Sequence, residues 1–360
     1  MTHLDGSVSV HRHTAAPLTG RLDHRFQRLA RRRGALGAPQ VALWAGGLDY
    51  TFGDQSTPFH AASIGKLFTG VVVLQLVQSG SLRLDERIDR LLPASLLRGL
   101  FTAGRDAPAI GELLQHFSGA ADYFEGRRRT SVRAAAMAEP QREWTPSDLL
   151  AFARDNLHPV GVPGETFHYS DTGFVLLGLA VEHLTGQSYH DAVTSRIIHP
   201  LGLDRTFLPR LTSPRAGRSD LAPCFSGRDD LSRTPALSCG WAGGGIASTP
   251  GDLIRFSRAL HEGALLNDDH VAVMRRVRGK VRAGIHYGAA MMELRYDGFS
   301  PLLRGLPRPV GHLGSLGTSL FYDPRNKAHL AMNFHSRGEL PRLIRTSIAV
   351  THELNRRLRA

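Results

Sequence analysis

Ser63-Ile64-Gly65-Lys66-Leu67-Phe68-Thr69-Gly70-Val71-Val72-Val73-Leu74-Gln75-Leu76-Val77-Gln78-Ser79-Gly80 is the stretch on which the reading of this chain turns. Leu67, Val71, Leu74 and Val77 recur at helical spacing, and the run closes at Ser79-Gly80, where glycine commonly ends a helix. The helix is apolar almost all round, so it belongs in a core rather than on a surface. At its head, Ser63 and Lys66 stand three apart, which puts a hydroxyl and an amine on one face within reach of proton transfer. Only three of the 44 basic residues are lysines, namely Lys66, Lys280 and Lys327. A lysine here is therefore informative, because arginine cannot give up its proton in such a role. Bringing a free amine from about 10.4 to about 7.5 requires about 4 kcal/mol of differential interaction, and burial in an apolar helix works in that direction.

Outward from this helix, Val41 to Ala45 and Tyr50 to Gly53 read as a strand hairpin across Gly46, Gly47 and Leu48. A helix is expected over Leu22 to Arg33, preceded by a flexible tail over residues 1–20. Beyond Leu84-Asp85 come helical patterns broken by proline and glycine, including Ile110 to His116, Thr145 to Asp155 and Thr172 to Thr185. Strand patterns return at Ile285 to Leu294, Ser319 to Tyr322 and Ala328 to Phe334, with Asp323-Pro324-Arg325-Asn326 as the turn between the last two. Pro341 to Arg357 form a closing helix. The order predicts an α/β (α+β) fold: an antiparallel sheet flanked by N- and C-terminal helices, assembled from residues 21–84 and 285–360. A large, mostly helical subdomain over residues 85–284 is inserted, and the whole makes one catalytic unit.

With 360 residues, 42% of them apolar and 21% charged, the chain has the composition of an ordinary globular protein. A net charge of +12 invites a nucleic-acid reading, but the arginine runs at 31–33, 127–129 and 356–359 are scattered and lack aromatic interleaving or a recognisable motif. The expectation is no nucleic-acid partner. The first residues lack the apolar core of a secretory signal, and no span of about 18 apolar residues occurs, so the reading is a cytoplasmic protein without a membrane partner. Cys224 and Cys239 lack both CxxC spacing and the density of a disulfide scaffold, and whether they pair stays open. There is no Gly-x-Ser-x-Gly elbow, no His-Glu-x-x-His and no Walker motif, so neither a metal nor a cofactor is implied.

Two further motifs accompany Ser63 and Lys66. Tyr169-Ser170-Asp171 stands just before an apolar helix, where a phenol and a carboxylate at a helix start form either a catalytic loop or a simple N-cap. Gly311-His312-Leu313-Gly314-Ser315 enters a strand, where small residues permit close backbone approach and His312 offers a polar handle, or where the chain merely turns. In order and spacing the three motifs resemble the Ser-x-x-Lys, Tyr-x-Asn and Lys/His-x-Gly of the penicillin-recognising serine enzymes. These are the class C β-lactamases, the D-alanyl-D-alanine carboxypeptidases, and their D-aminopeptidase, esterase and transesterase relatives. Leu113 to Gly119 and Gly243 to Thr249 match the same family in style, and the resemblance spans residues 38–335.

The resemblance implies Ser63 as the acylated nucleophile and Lys66 with Tyr169 as joint proton handlers. It also implies the backbone amides of Ser63 and Ser315 as an oxyanion hole, with Asp171, His312 and Gly314 contacting substrate. Two residues depart from the family pattern: Asp171 stands for the asparagine and adds a negative charge beside the lysine, and His312 stands for the lysine of typical β-lactamases. Both move the reading from a true β-lactamase toward a serine hydrolase of esters or small amides. The partners expected are a small-molecule acyl donor and water. A transacylase that passes the acyl group to an amine or alcohol is the alternative, and a non-catalytic binding protein ranks behind both. The sequence leaves the oligomeric state open.

Overall fold

The computed structural model, which describes residues 9–126, 130–217 and 219–357, starts its sheet with the expected hairpin. Strands β1 (Gln40–Ala45) and β2 (Leu48–Phe52) pair antiparallel from Val41 opposite Phe52 to Ala45 opposite Leu48. The two residues between them, Gly46 and Gly47, have φ of 49° and 88°, the left-handed values a two-residue hairpin turn demands and glycine adopts without strain. The other edge of β1 is taken by the last strand of the chain. With β3 (Gly279–Arg282), β4 (Ile285–Tyr287), β5 (Met292–Leu294), β6 (Val310–Gly314), β7 (Thr318–Asp323) and β8 (Ala328–Asn333), the sheet has eight strands in the order β2-β1-β8-β7-β6-β5-β4-β3. Every pair is antiparallel, with Gln40 opposite Asn333 and Ala45 opposite Ala328 at the seam between the two ends of the chain.

Period-two alternation divides each central strand between two cores. Val41, Leu43, Phe321, Leu330 and Met332 face a layer built by helix α1 (Ser9–Ala30), through Leu18, Leu22 and Phe26, and by the closing helix through Leu343, Val350 and Leu354. Ala42, Leu320 and Ala331 face the opposite way, into the larger core around helix α2 (Gly65–Gln78). That helix is buried on all sides, as its composition requires. Each of its fully enclosed valines and leucines contributes about 1.5–3 kcal/mol over an exposed one. Phe68 stacks on Phe256 with ring centroids 3.9 Å apart. Against α2 packs α5 (Asp171–Thr185), which in turn carries α3 (Ile110–Leu114) and α4 (Pro146–Asn156); α6 (Pro250–His261) lies on strands β1, β7 and β8, and α7 (Leu340–Arg357) closes the chain.

The structure corrects the sequence reading in two places. Helix α1 begins at Ser9 rather than near Leu22, running through most of the stretch read as a tail, while residues 1–8 lie outside the described residues. The apolar stripe explains this, because Leu18 already belongs to the four-residue series completed by Leu22 and Phe26 and is as buried as they are. Second, Gly279–Arg282, expected inside the helical insert, is the edge strand β3. Charged residues on an edge strand blunt unwanted pairing, and they also hide the strand from a hydrophobicity reading. Cys224 and Cys239 are both buried free thiols. No helix among the described residues is long and apolar enough to cross a membrane.

Candidate active site

The nucleophile turn is shaped by close backbone packing. Ala62 has φ of 51°, a strained value for a residue with a side chain, and Ala62–Ile64 form a single 3-10 turn leading into α2. A Cβ on Gly65 would meet the Gly244 Cα at 3.1 Å, and one on Gly314 would meet the Ala61 carbonyl oxygen at 2.5 Å. Glycine at 314 therefore lets strand β6 press against the turn. The Thr318 hydroxyl fastens it by donating to the same Ala61 carbonyl at 2.8 Å.

Lys66 has no exposed surface, and its ammonium finds three acceptors, the number of donors it carries. It pairs with Asp171 Oδ1, donates to the Gly243 carbonyl at 2.8 Å, and lies 3.4 Å from Ser63 Oγ. The rings of Tyr169 and Phe174 flank it, each with its centroid 5.1 Å from Nζ. A Cβ at Gly243 would come within 2.6 Å of Asp171 Oδ1, so glycine there is what allows the carboxylate and the carbonyl to share one ammonium.

Tyr169 completes the trio. The Ser63 side chain works to lower its phenol, but burial, followed by the charge of Asp171, pushes it well above its ordinary range, so it stays neutral near pH 7. Its ring is wedged between His116, 4.2 Å away centroid to centroid, and Tyr287, which meets it edge-on at 5.6 Å. Ser63, Asp171, Gly243, Gly244, Ser315 and Leu316 line one cavity of about 50 Å³, so the sequence-predicted Ser63, Asp171 and Ser315 converge.

His312 stands differently from the expectation. It is fully buried, its Nδ1–H donates to the Leu313 carbonyl at 2.7 Å, and its Nε2 accepts from the Tyr287 hydroxyl at 3.3 Å. Burial, with Lys66 second, depresses the imidazole to about 3, so near neutrality it is uncharged. Both nitrogens are used inside the protein, and the rings of Tyr287 and Tyr169 wall the imidazole at 5.7 Å and 6.3 Å between centroids. Gly314 likewise acts as a spacer for the nucleophile turn rather than as a lining residue. Nor is Ser170 an N-cap: its hydroxyl donates to the Ala121 carbonyl at 3.1 Å and makes no side-chain cap to α5.

Two supporting residues escaped the sequence reading. Asp122, 6% exposed, accepts from the Asp171 amide at 2.9 Å and the Phe124 amide at 3.2 Å through Oδ1, and from the Glu125 amide at 3.0 Å through Oδ2. Burial, reinforced by the Asp171 charge, raises its carboxyl to about 7. His116, at φ 61°, accepts the Ser170 amide at Nδ1 (3.1 Å) and receives the His168 amide at its carbonyl (2.8 Å). Its Nε2 has no hydrogen-bond partner among the described residues. Together they clasp the 168–171 segment that carries Tyr169 and Asp171. His116 lies within the quoted Leu113–Gly119 stretch, but no local pattern marks Asp122.

A sequence model of the Beta-lactamase family matches residues 37–353, the whole region that carries the sheet, α2 and the site. The chain belongs to the β-lactamase family. The expected family and fold are thereby met. Among curated relatives of this β-lactamase-family protein, penicillin-binding protein 4 of Amycolatopsis lactamdurans is 33% identical over 215 residues, which is 56% of this chain and 50% of that protein. The chain thus spans about half the length of the relative it matches. A solved D-stereospecific amidohydrolase from Streptomyces sp. is similar at 28% identity and a TM-score of 0.74, covering 93% of this chain and 97% of the other. D-amino acid amidase from Ochrobactrum anthropi SV3 has the same fold at 23% identity and a TM-score of 0.75, over 96% and 99% of the two chains.

Proposed function

We propose that this β-lactamase-family protein is a serine hydrolase that works through a Ser63 acyl-enzyme on esters or small amides, with water as the acceptor. The observation that carries the reading is the convergence of two proton handlers on one hydroxyl: Lys66 Nζ lies 3.4 Å from Ser63 Oγ and 5.1 Å from the centroid of the Tyr169 ring, whose neutral phenol the Ser63 side chain influences. In acylation, Lys66 passes one proton to its ion-pair partner Asp171, and the neutral amine so formed takes the Ser63 proton as Oγ bonds to the acyl carbon, with the Tyr169 phenol relaying a proton to the leaving group. Collapse of the tetrahedral intermediate breaks the bond to the alcohol or amine, which leaves with that proton. Water repeats the sequence in reverse roles, releasing the acid and restoring the Ser63 hydroxyl. The amides of Ser63 and Ser315 serve as the oxyanion hole, each worth about 3 kcal/mol in such sites.

The ion pair with Asp171 sets this site apart from one designed to bind an anionic group: Lys66, buried behind Ser63, is already matched by a carboxylate that itself lines the cavity. Neutral esters and amides are therefore favoured over carboxylate-bearing donors. The near full-length likeness to the D-stereospecific amidohydrolase from Streptomyces supports pairing amides of D and L configuration in the first assay. The test is hydrolysis of p-nitrophenyl acetate and of paired D- and L-amino acid amides by wild type and Ser63→Ala. Turnover of the ester or of the D-amides that disappears in Ser63→Ala is expected. Turnover that survives in Ser63→Ala contradicts the assignment.

A further inference from the structure

Two further cavities open beside the nucleophile, and their contrast says which part of a substrate goes where. One, of about 70 Å³, is walled chiefly by Phe124, Met137, Phe225, Leu231, Leu237 and Leu316 and shares Ser315, Leu316, Leu237 and Phe124 with the Ser63 cavity. The other is a groove of about 680 Å³ that reaches the Ser63 cavity at His60 and Leu237 and carries Glu143, Thr145, Arg210, Ser213, Asp220 and Arg233. Leu237, in the 3-10 segment Pro235–Gly240, borders all three spaces.

We infer that the smaller cavity is the acyl subsite, built for an unbranched or singly ringed apolar group, and that the polar groove admits the leaving group and the acceptor. The inference rests on the Ser63 acyl-enzyme reading. In that chemistry the acyl group stays tethered through both half-reactions, so it belongs in the dry, close-fitting space that continues directly from Ser63. The leaving group and water must exchange between the two steps, which calls for the roomier polar path. Water fits a cavity from about 10–15 Å³ by this kind of volume, so 70 Å³ holds about four to six carbon atoms and not a long fatty chain. Among the described residues Arg337 and Arg133 both turn to Glu125, at 2.5 Å and 3.3 Å, so they lie along the rim rather than across the apolar space. Their side-chain stems extend the apolar wall.

Met137, 39% exposed on the short helix Val132–Ala138, can be altered without touching Ser63, Lys66 or Tyr169. The experiment measures kcat/KM for p-nitrophenyl esters from acetyl to decanoyl with one common leaving group, in wild type, Met137→Trp and Met137→Ala. Intact mass confirms the adduct on Ser63 for each ester. The wild-type optimum is expected at four to six acyl carbons. Met137→Trp should lower the hexanoyl-to-acetyl ratio at least tenfold, and Met137→Ala should move the optimum to longer chains. An unchanged chain-length profile in both variants, or a wild-type preference that keeps rising to decanoyl, overturns the subsite while leaving the Ser63 reading intact. Failure of every chain length to label Ser63 overturns the reading itself and the subsite with it.

Discussion

Two regions hold the reacting groups, and they do so in opposite ways. The turn and helix over residues 62–78 place Ser63 and Lys66 by local geometry, one helical turn apart, with the lysine locked into fixed hydrogen bonds and an ion pair. The segment over residues 116–124 places Tyr169 and Asp171 from a distance, through His116 and Asp122, across about fifty positions of chain. It does so with a carboxyl that titrates near neutrality. The first region therefore carries the size of the catalytic effect, and the second carries much of its setting: the position of the phenol, the stability of the clasp and its response to pH.

That division can be broken first at its strongest point. Ser63→Ala is expected to lose about 10⁴-fold or more in kcat/KM, since removal of a nucleophile disables the unit it belongs to. Its melting temperature should stay close to wild type, because deleting one hydroxyl removes little packing. A collapsed melting temperature would mean that the turn is held by the serine rather than by Gly65, Gly314 and Thr318. Tyr169→Phe comes next, with a loss of about 10²–10⁴-fold, the usual range for general acid–base groups. A loss below tenfold would assign the proton work to Lys66 alone and leave Tyr169 as packing.

Tyr287→Phe tests the wall between His312 and the site. It removes the one side-chain donor among the described residues to a buried imidazole nitrogen, and leaving such an acceptor unpaired costs about 1–3 kcal/mol. The readout is a denaturant midpoint, and an unchanged midpoint would show that the 3.3 Å contact carries no weight. The last effect concerns pH. With its folded value at about 7 against an ordinary 3.8, Asp122 keeps a proton in the folded chain that the unfolded chain has already released. Its contribution is complete below about pH 4 and is lost as pH rises through about 7. Asp122→Asn cannot titrate, so the variant's melting temperature relative to wild type should rise between pH 4 and pH 8. Parallel curves would show that Asp122 is not the titrating group.

The same contrast explains what could be read from sequence. The buried helix after Ser63, the hairpin across Gly46-Gly47 and the strands around the Asp323–Asn326 turn were legible because each is encoded within about a dozen residues by period and turn chemistry. Ser63 and Lys66 stood out as candidates by their spacing and the scarcity of lysine, and Tyr169 and Asp171 only through the family resemblance of the three motifs taken together. Strand β3 was hidden by its own charges. His312 was recognisable as a motif residue, but its burial behind Tyr287 depends on β4 and β6 standing in one sheet with β5 between them, which no local pattern records. Asp122 left no signal at all: an aspartate in a loop reads as solvated, and only the fold reveals that it accepts three amides beneath the start of α5.

The central claim is that Ser63 becomes acylated and that water releases it. The direct measurement is intact-mass analysis with peptide mapping after mixing the protein with an activated acyl ester, followed by a chase in buffer alone or with an added amine. The account predicts a single adduct on Ser63, none in Ser63→Ala, and its decay in buffer at the rate of steady-state turnover. An adduct that persists in buffer and clears only when the amine is added would contradict hydrolysis and make the protein an acyltransferase, and an adduct on any other residue would contradict the mechanism itself.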